Sequence, residues 1–109
     1  MPTTYKVLGQ VAPSATTNTD LYTVGAGKSA VVSTIAVTNR AGTSATYRIA
    51  VRVAGSTLSN EEYIAYDATI SANNSTFITV GVTLAATDVV TVYASTANLS
   101  FNAFGSELS

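Results

Sequence analysis

Hydrophobic and polar residues alternate along much of this chain with a period of two. Between Ala45 and Val53, the residues Tyr47, Ile49, Val51 and Val53 fall on one side and Thr46, Arg48, Ala50 and Arg52 on the other. That spacing belongs to a strand with one buried and one solvated face. Upstream, Val31, Ser33, Ile35 and Val37 share a face, while Val32, Thr34, Ala36 and Thr38 share the opposite one. Asn39-Arg40-Ala41-Gly42-Thr43 supplies turn chemistry between these two runs, so they are expected to pair antiparallel. Further strands are predicted from Thr4 to Gln10, Asp20 to Val24, Ser75 to Val80, Val89 to Ser95 and Leu99 to Phe104.

Seven or eight short strands in 109 residues predict an all-β fold, a single-domain antiparallel β-sandwich over residues 1–109. A single open sheet would leave one wide face unburied. Jelly-roll and Ig-like connections both fit the pattern. Ser59-Asn60-Glu61-Glu62 has the signature of a helix N-cap with an acidic first turn, but Tyr63-Ile64-Ala65-Tyr66 favours extended backbone. We read a short edge strand there.

Composition agrees with strands. Ser and Thr make up 30 of the 109 residues and charged residues only 10%, so hydroxyls must cover the solvent-facing positions. Thr and Val are stiff at Cβ and suit a pleated surface, whereas a helical protein would carry Glu, Lys, Leu and Gln in their place. No run approaches the roughly 18 to 20 apolar residues of a membrane helix. The start, MPTTYKVLGQ, lacks a basic patch followed by an apolar stretch, so no secretory signal is read and synthesis in a cytoplasm is expected. Five basic residues against six acidic ones leave a net charge of −1. That balance gives no electrostatic footprint for nucleic acid or an anionic membrane.

The triplet Gly27-Lys28-Ser29 matches the end of a nucleotide-binding phosphate loop, which also needs a Gly five positions earlier and a helix after it. Tyr22 occupies that first position, and Ala30-Val31-Val32-Ser33-Thr34-Ile35 continues as a β-branched strand. The segment is therefore read as a hairpin turn in which Gly25 and Gly27 supply positive backbone angles and Lys28 is solvated. The chain has no His and no Cys, which removes thiol nucleophiles, thiolate zinc sites and the usual proton carrier near neutral pH. Glu61 and Glu62 are adjacent and would leave a strand on opposite faces, so they read as a solvated edge. Asp88, before the strand at Val89, is expected to close a turn by accepting backbone amides. No catalytic residue, cofactor or metal is assigned, and the expected class is not an enzyme.

Four side chains stand out as candidate interface residues. Arg48 and Arg52 lie on one strand face roughly 13 Å apart at about 3.3 Å per residue, either as a partner contact or as charges that keep an outer face soluble and block edge pairing. Tyr63 and Tyr66 are aromatic candidates for stacking on a sugar or anchoring a protein. With Asn73 and Asn74 they would form a shallow glycan site.

The runs YKVLGQ, APSATTNTDLYTVGAGKSAVVSTIAVTNR, YRIAVRVAG and LAATDVVTVYASTANLSFNAFGSE resemble small virion-associated proteins of tailed phages, especially those infecting marine bacteria and cyanobacteria. The resemblance covers nearly the whole chain. It implies a β-sandwich, no catalytic set and a structural role, with a capsid decoration or cement function expected first and a neck or tail accessory role as a close variant. The implied partners are a major capsid or other virion protein and further copies of the chain, as a homo-oligomer or an array. The implied location is the virion, after synthesis in the host cytoplasm. Where such turns carry Pro before Ala-Gly-Lys, this chain has Gly25, which changes local stiffness only. A carbohydrate-binding or host-adhesion module is the alternative function.

Overall fold

The computed structural model describes residues 3–109. They form eight strands: β1 Thr3–Val11, β2 Thr19–Thr23, β3 Ser29–Asn39, β4 Ala45–Arg52, β5 Tyr63–Ile70, β6 Ser75–Leu84, β7 Val89–Ala94 and β8 Leu99–Leu108. Two four-stranded sheets result, one ordered β1-β8-β3-β6 and the other β2-β7-β4-β5, with every pair antiparallel. The all-β sandwich expected from the alternating pattern is the observed fold.

The strands pair as β1 with β8, β2 with β7, β3 with β6 and β4 with β5. That is one long hairpin wound over on itself, with the β4–β5 connection as its tip. Six of the seven connections consequently cross from one sheet to the other. Two sequence expectations are corrected by this winding. β3 and β4 do not pair, because the turn at Asn39 to Thr43 carries the chain between sheets. Likewise, Gly25 to Lys28 is no hairpin, since β2 and β3 lie in different sheets. There Lys28 N–H donates to the Gly25 carbonyl at 3.2 Å, and only Gly27, at φ +76°, takes the left-handed conformation. Alternation reports which face of a strand is buried, and both pairings would satisfy it equally.

The core lies between the sheets. Ile35, Ile49, Ile70, Leu84, Leu99 and Phe101 are all less than 2% exposed, and burying each stabilises the fold by about 1.5–3 kcal/mol relative to leaving it exposed. Tyr47 meets Phe101 edge-on, with ring centroids 6.3 Å apart, an arrangement favoured by the ring quadrupoles. Gly9 allows β1 and β2 to approach where the two sheets meet, because a Cβ there would overlap the Leu21 carbonyl oxygen.

Polar side chains hold the crossings. Asn39 is 1% exposed, yet its Nδ2 donates to the carbonyls of Thr43 at 2.8 Å and Ser71 at 3.2 Å, and its Oδ1 accepts from Ala41 N–H at 3.0 Å. It ties the β3–β4 and β5–β6 connections together. Asp88 accepts from the main-chain amides of Ala85 at 2.9 Å and Ala54 at 2.8 Å, the amide-accepting role its sequence position suggests. Such satisfied groups carry none of the penalty that an orphaned buried polar atom would impose.

A third tie joins the sheets near the chain ends. Tyr22 on β2 donates its hydroxyl to Glu107 on β8 at 2.5 Å, and Lys6 on β1 donates to the same carboxylate at 3.1 Å. Burial pushes the Tyr22 hydroxyl well above the usual phenol range, and the bond to Glu107 adds to the shift. The Tyr22 bond, with that of Lys6, holds the Glu107 carboxyl below the usual range. Because its folded value lies below the unfolded one, this contribution is complete above a pH of about 4.3 and is lost as pH falls through the folded value. Urea midpoints measured between about pH 6 and pH 2 should fall less steeply for Tyr22→Phe than for the native chain. Equal slopes would show that the tie does not couple to folding.

Candidate functional site

The sandwich presents two outer faces of different chemistry. On the β2-β7-β4-β5 sheet, β4 turns Tyr47 and Ile49 inward and Arg48 and Arg52 outward. Arg48 lies opposite Tyr93 of β7. Its guanidinium sits between two rings, 4.2 Å from the Tyr66 centroid and 4.4 Å from that of Tyr93. The same group holds Asp67 through two bonds, Nε to Oδ1 at 2.6 Å and Nη2 to Oδ2 at 3.3 Å. Stacking and a forked ion pair use the planar guanidinium in a way that Lys would not reproduce.

A bulge in β5 makes this cluster possible. Tyr47 pairs with Ala68 and Ile49 with Ala65, so β5 spends one more residue than β4 over that interval. Asp67 takes φ +51° there, a conformation that Asp tolerates better than most residues. A second irregularity follows at once, because Ala50 pairs with Tyr63 and leaves Ile64 as the extra residue. Tyr63 packs edge-on against Tyr66, with centroids 4.8 Å apart. Together with Asn60 they line a shallow depression of about 450 Å³.

Asn60 is placed by the segment with the helix-cap signature. Asn60–Glu62 forms one 3₁₀ turn, with Ser59 N–H donating to the Glu62 carboxylate at 2.8 Å and Glu62 N–H to the Ser59 carbonyl at 3.1 Å. The Ser59 amide holds the Glu62 carboxyl below its usual range. The edge-strand reading holds only from Tyr63, where β5 begins; Glu61 and Glu62 lie in the turn before it, and the cap signature set aside in favour of a strand marks that turn.

Arg52 belongs to a different construction. It donates to the carbonyls of Ser56 at 2.7 Å and Gly55 at 2.9 Å, and to the Asp20 carboxylate at 3.2 Å. These bonds hold the β4–β5 connection, with its 3₁₀ turn Val53–Gly55, against the sheet. The structure thus brings Arg48, Tyr63 and Tyr66 together and leaves Arg52 as a clamp. Asn73 and Asn74 follow the far end of β5, where Asn73 N–H bonds the Ala41 carbonyl and the Asn74 carbonyl accepts from Asn39 N–H. They are not in the tyrosine depression. Sequence reading missed Asn60, Asp67 and Tyr93 as members of the cluster. Tyr93 sits one strand over, and only the register reveals it.

Among the described residues, the strands of the opposite outer face, on β1-β8-β3-β6, turn no charged side chain outward; at the end of that face Arg40, which follows β3, donates from Nε to the Ser100 hydroxyl at 2.9 Å and from Nη2 to the Ala97 carbonyl at 3.0 Å. Register partners share a face, which places Tyr5 beside Ser106, Val7 beside Phe104, Val31 beside Ser106 and Phe77 beside Ala36. The strand charges, Lys6 and Glu107, are paired toward the sandwich rim. Tyr5 is 85% exposed and Phe77 69%. A depression of about 410 Å³ is lined by Tyr5, Lys6, Val31, Ser33, Phe104, Gly105 and Ser106.

Among the described residues, no three His, Cys, Asp or Glu side chains gather into a metal-holding group, and no helix is long and apolar enough to cross a membrane. No family model, curated protein or solved structure matches the chain.

The Arg48 fork holds the Asp67 carboxyl below its usual range. In a carboxyl-carbon NMR titration, Asp67 should have its midpoint below the free-Asp value of about 3.9 and return toward it in Arg48→Gln. A native Asp67 titrating at the free value would contradict the forked pair.

Proposed function

We propose that the chain is a structural protein of a tailed-phage virion, made in the host cytoplasm and bound in many copies to the particle as a capsid decoration or cement protein. The observation that carries this reading is the face whose strands turn no charge outward and on which Tyr5 and Phe77 stand in solvent. Exposed aromatic side chains on a surface poor in charge suit a protein partner, because docking desolvates little charge and covers large rings. Four strands at about 4.8 Å and about ten residues at roughly 3.3 Å give a face of about 600 Å², near the ~800 Å² per partner of a standard interface. The partner of this reading is the major capsid protein, or a neck or tail protein in the close variant.

The winding supports the same role. A hairpin folded over into the orders β1-β8-β3-β6 and β2-β7-β4-β5 fits a jelly roll better than an Ig-like sandwich, and the jelly roll is an architecture common in capsid and lectin domains. Repetition on a shell strengthens attachment through many modest contacts, so no deep pocket is required. Fold alone carries no function, and the weight rests on the exposed face. Quantitative mass spectrometry of purified virions should find the chain in many copies. Tyr5→Ser combined with Val7→Ser should lower that copy number about tenfold or more, the scale of losing one interface anchor. Absence of the native chain from particles would overturn the assignment.

The depression formed by Asn60, Tyr63 and Tyr66 favours a second reading, a carbohydrate-binding or host-adhesion module. Aromatic rings beside an amide are suited to the apolar face and hydroxyls of a sugar ring. On a glycan array, this reading expects specific binding that disappears in Tyr63→Ala. Silence across the array removes it.

A further inference from the structure

We infer that β6 is the surface through which two copies of the chain join, edge to edge, about a twofold axis centred on Phe77. This deepens the attachment reading above by naming the contact between copies. It rests on the four sheet edges, which are not equally protected.

A free edge strand exposes a row of main-chain donors and acceptors that another strand can pair, and proteins blunt such edges with short length, charge or bulges. β2 is only five residues long and bulged at Leu21. β5 is bulged twice and carries Asp67. β1 is bulged at Leu8 and carries Lys6. β6 runs ten residues, Ser75–Leu84, with no charge and no proline, and its register with β3 is unbroken from Ser75 to Thr79. Its one interruption lies beyond that stretch, at Gly81, which takes φ +58°. Among the described residues, β6 pairs only with β3, and its outer row bonds no other main chain.

The core is also least sealed on this side. Ile78, Val80 and Val82 of β6 and Ala65 and Ala68 of β5 pack against the core but are only partly buried. At the opposite side, Leu8 and Leu21 are buried and the Tyr22–Glu107–Lys6 tie spans the sheets. A strand laid along β6 would satisfy its free main-chain groups and cover half-exposed aliphatic carbon at the same time.

The occupant that fits is a second copy. A twofold axis normal to the sheet makes the two β6 strands antiparallel and keeps each inner face inner. Side-chain parity then requires residues of like face to pair, and centring on Phe77 uses the whole regular stretch. Ser75 meets Thr79 of the other copy, Thr76 meets Ile78, and Phe77 meets Phe77 on the outer face, where cross-strand aromatic pairs are favourable. No charge lies on the strand to oppose its own image. Five residues span about 17 Å, which against the molecule's thin dimension of 19 Å gives roughly 300 Å² per copy, well under the ~800 Å² of a stable interface. The dimer is therefore weak and reversible in solution, and gains when neighbouring copies are held close.

Sedimentation velocity on the full chain, from about 10 μM to about 1 mM, tests this. The expected result is a shift from monomer to dimer within that range. Ser75→Lys with Thr79→Lys sets like charges across the axis and should weaken association about tenfold or more, while Ser75→Lys with Thr79→Glu sets opposite charges across it and should restore the dimer. All these positions are exposed, and circular dichroism of each variant checks that the fold is kept. A monomer throughout the range overturns the proposal, as does a dimer on which the two double variants act alike. Virion copy number of the Tyr5 and Val7 variant reads capsid attachment separately, so either claim can fail alone.

Discussion

The fold depends on keeping two sheets face to face while the chain crosses between them at nearly every connection. Aliphatic burial supplies the attraction, but it is non-directional and leaves the crossings free to shift. Direction comes from polar groups at the crossings. Asn39 binds two connections that are adjacent in space and some thirty residues apart in sequence, Asp88 fixes the β6–β7 turn to the segment after β4, and Tyr22 reaches across to Glu107. Each is fully bonded, so each specifies geometry without the penalty of an orphaned polar atom.

What the sequence made legible follows from where each signal resides. Alternation is local, and it placed Tyr47 and Ile49 inward and Arg48 and Arg52 outward as the structure has them. On β3, however, the register shift between Val32 and Thr34 splits the face read for Val31, Ser33, Ile35 and Val37, sending Val31 outward and Val32, Ile35 and Val37 into the core. The role of Asp88 is short-range, and it too was readable. Strand partnership is non-local. Nothing within Val31 to Val53 tells whether the turn after Asn39 returns to the same sheet or leaves it, and the expected pairing of β3 with β4 was wrong for that reason. The same blindness hid the cluster around Arg48, whose members come from three strands and the turn before one of them. A bulge at Asp67 creates it, and bulges leave little trace in a pattern of period two.

The two outer faces divide the chemistry of the molecule. On one, arginine is neutralised by carboxylate and covered by tyrosine, or spent on holding a loop. The strands of the other turn hydroxyls and two projecting aromatic rings outward, with Arg40 at its end. A chain with only 10% charged residues keeps most of its strand charge within ion pairs. Its surface therefore offers shape, ring faces and main-chain groups for contact, with little long-range steering. Such a surface is quiet at a distance, which is compatible with the attachment proposed above.

The register of β1 with β8 sets Thr3 beside Leu108, and β6 is at the other margin of that sheet. A label placed on Thr3 or Leu108 would therefore sit at the β1–β8 margin, with β3 between it and the open strand.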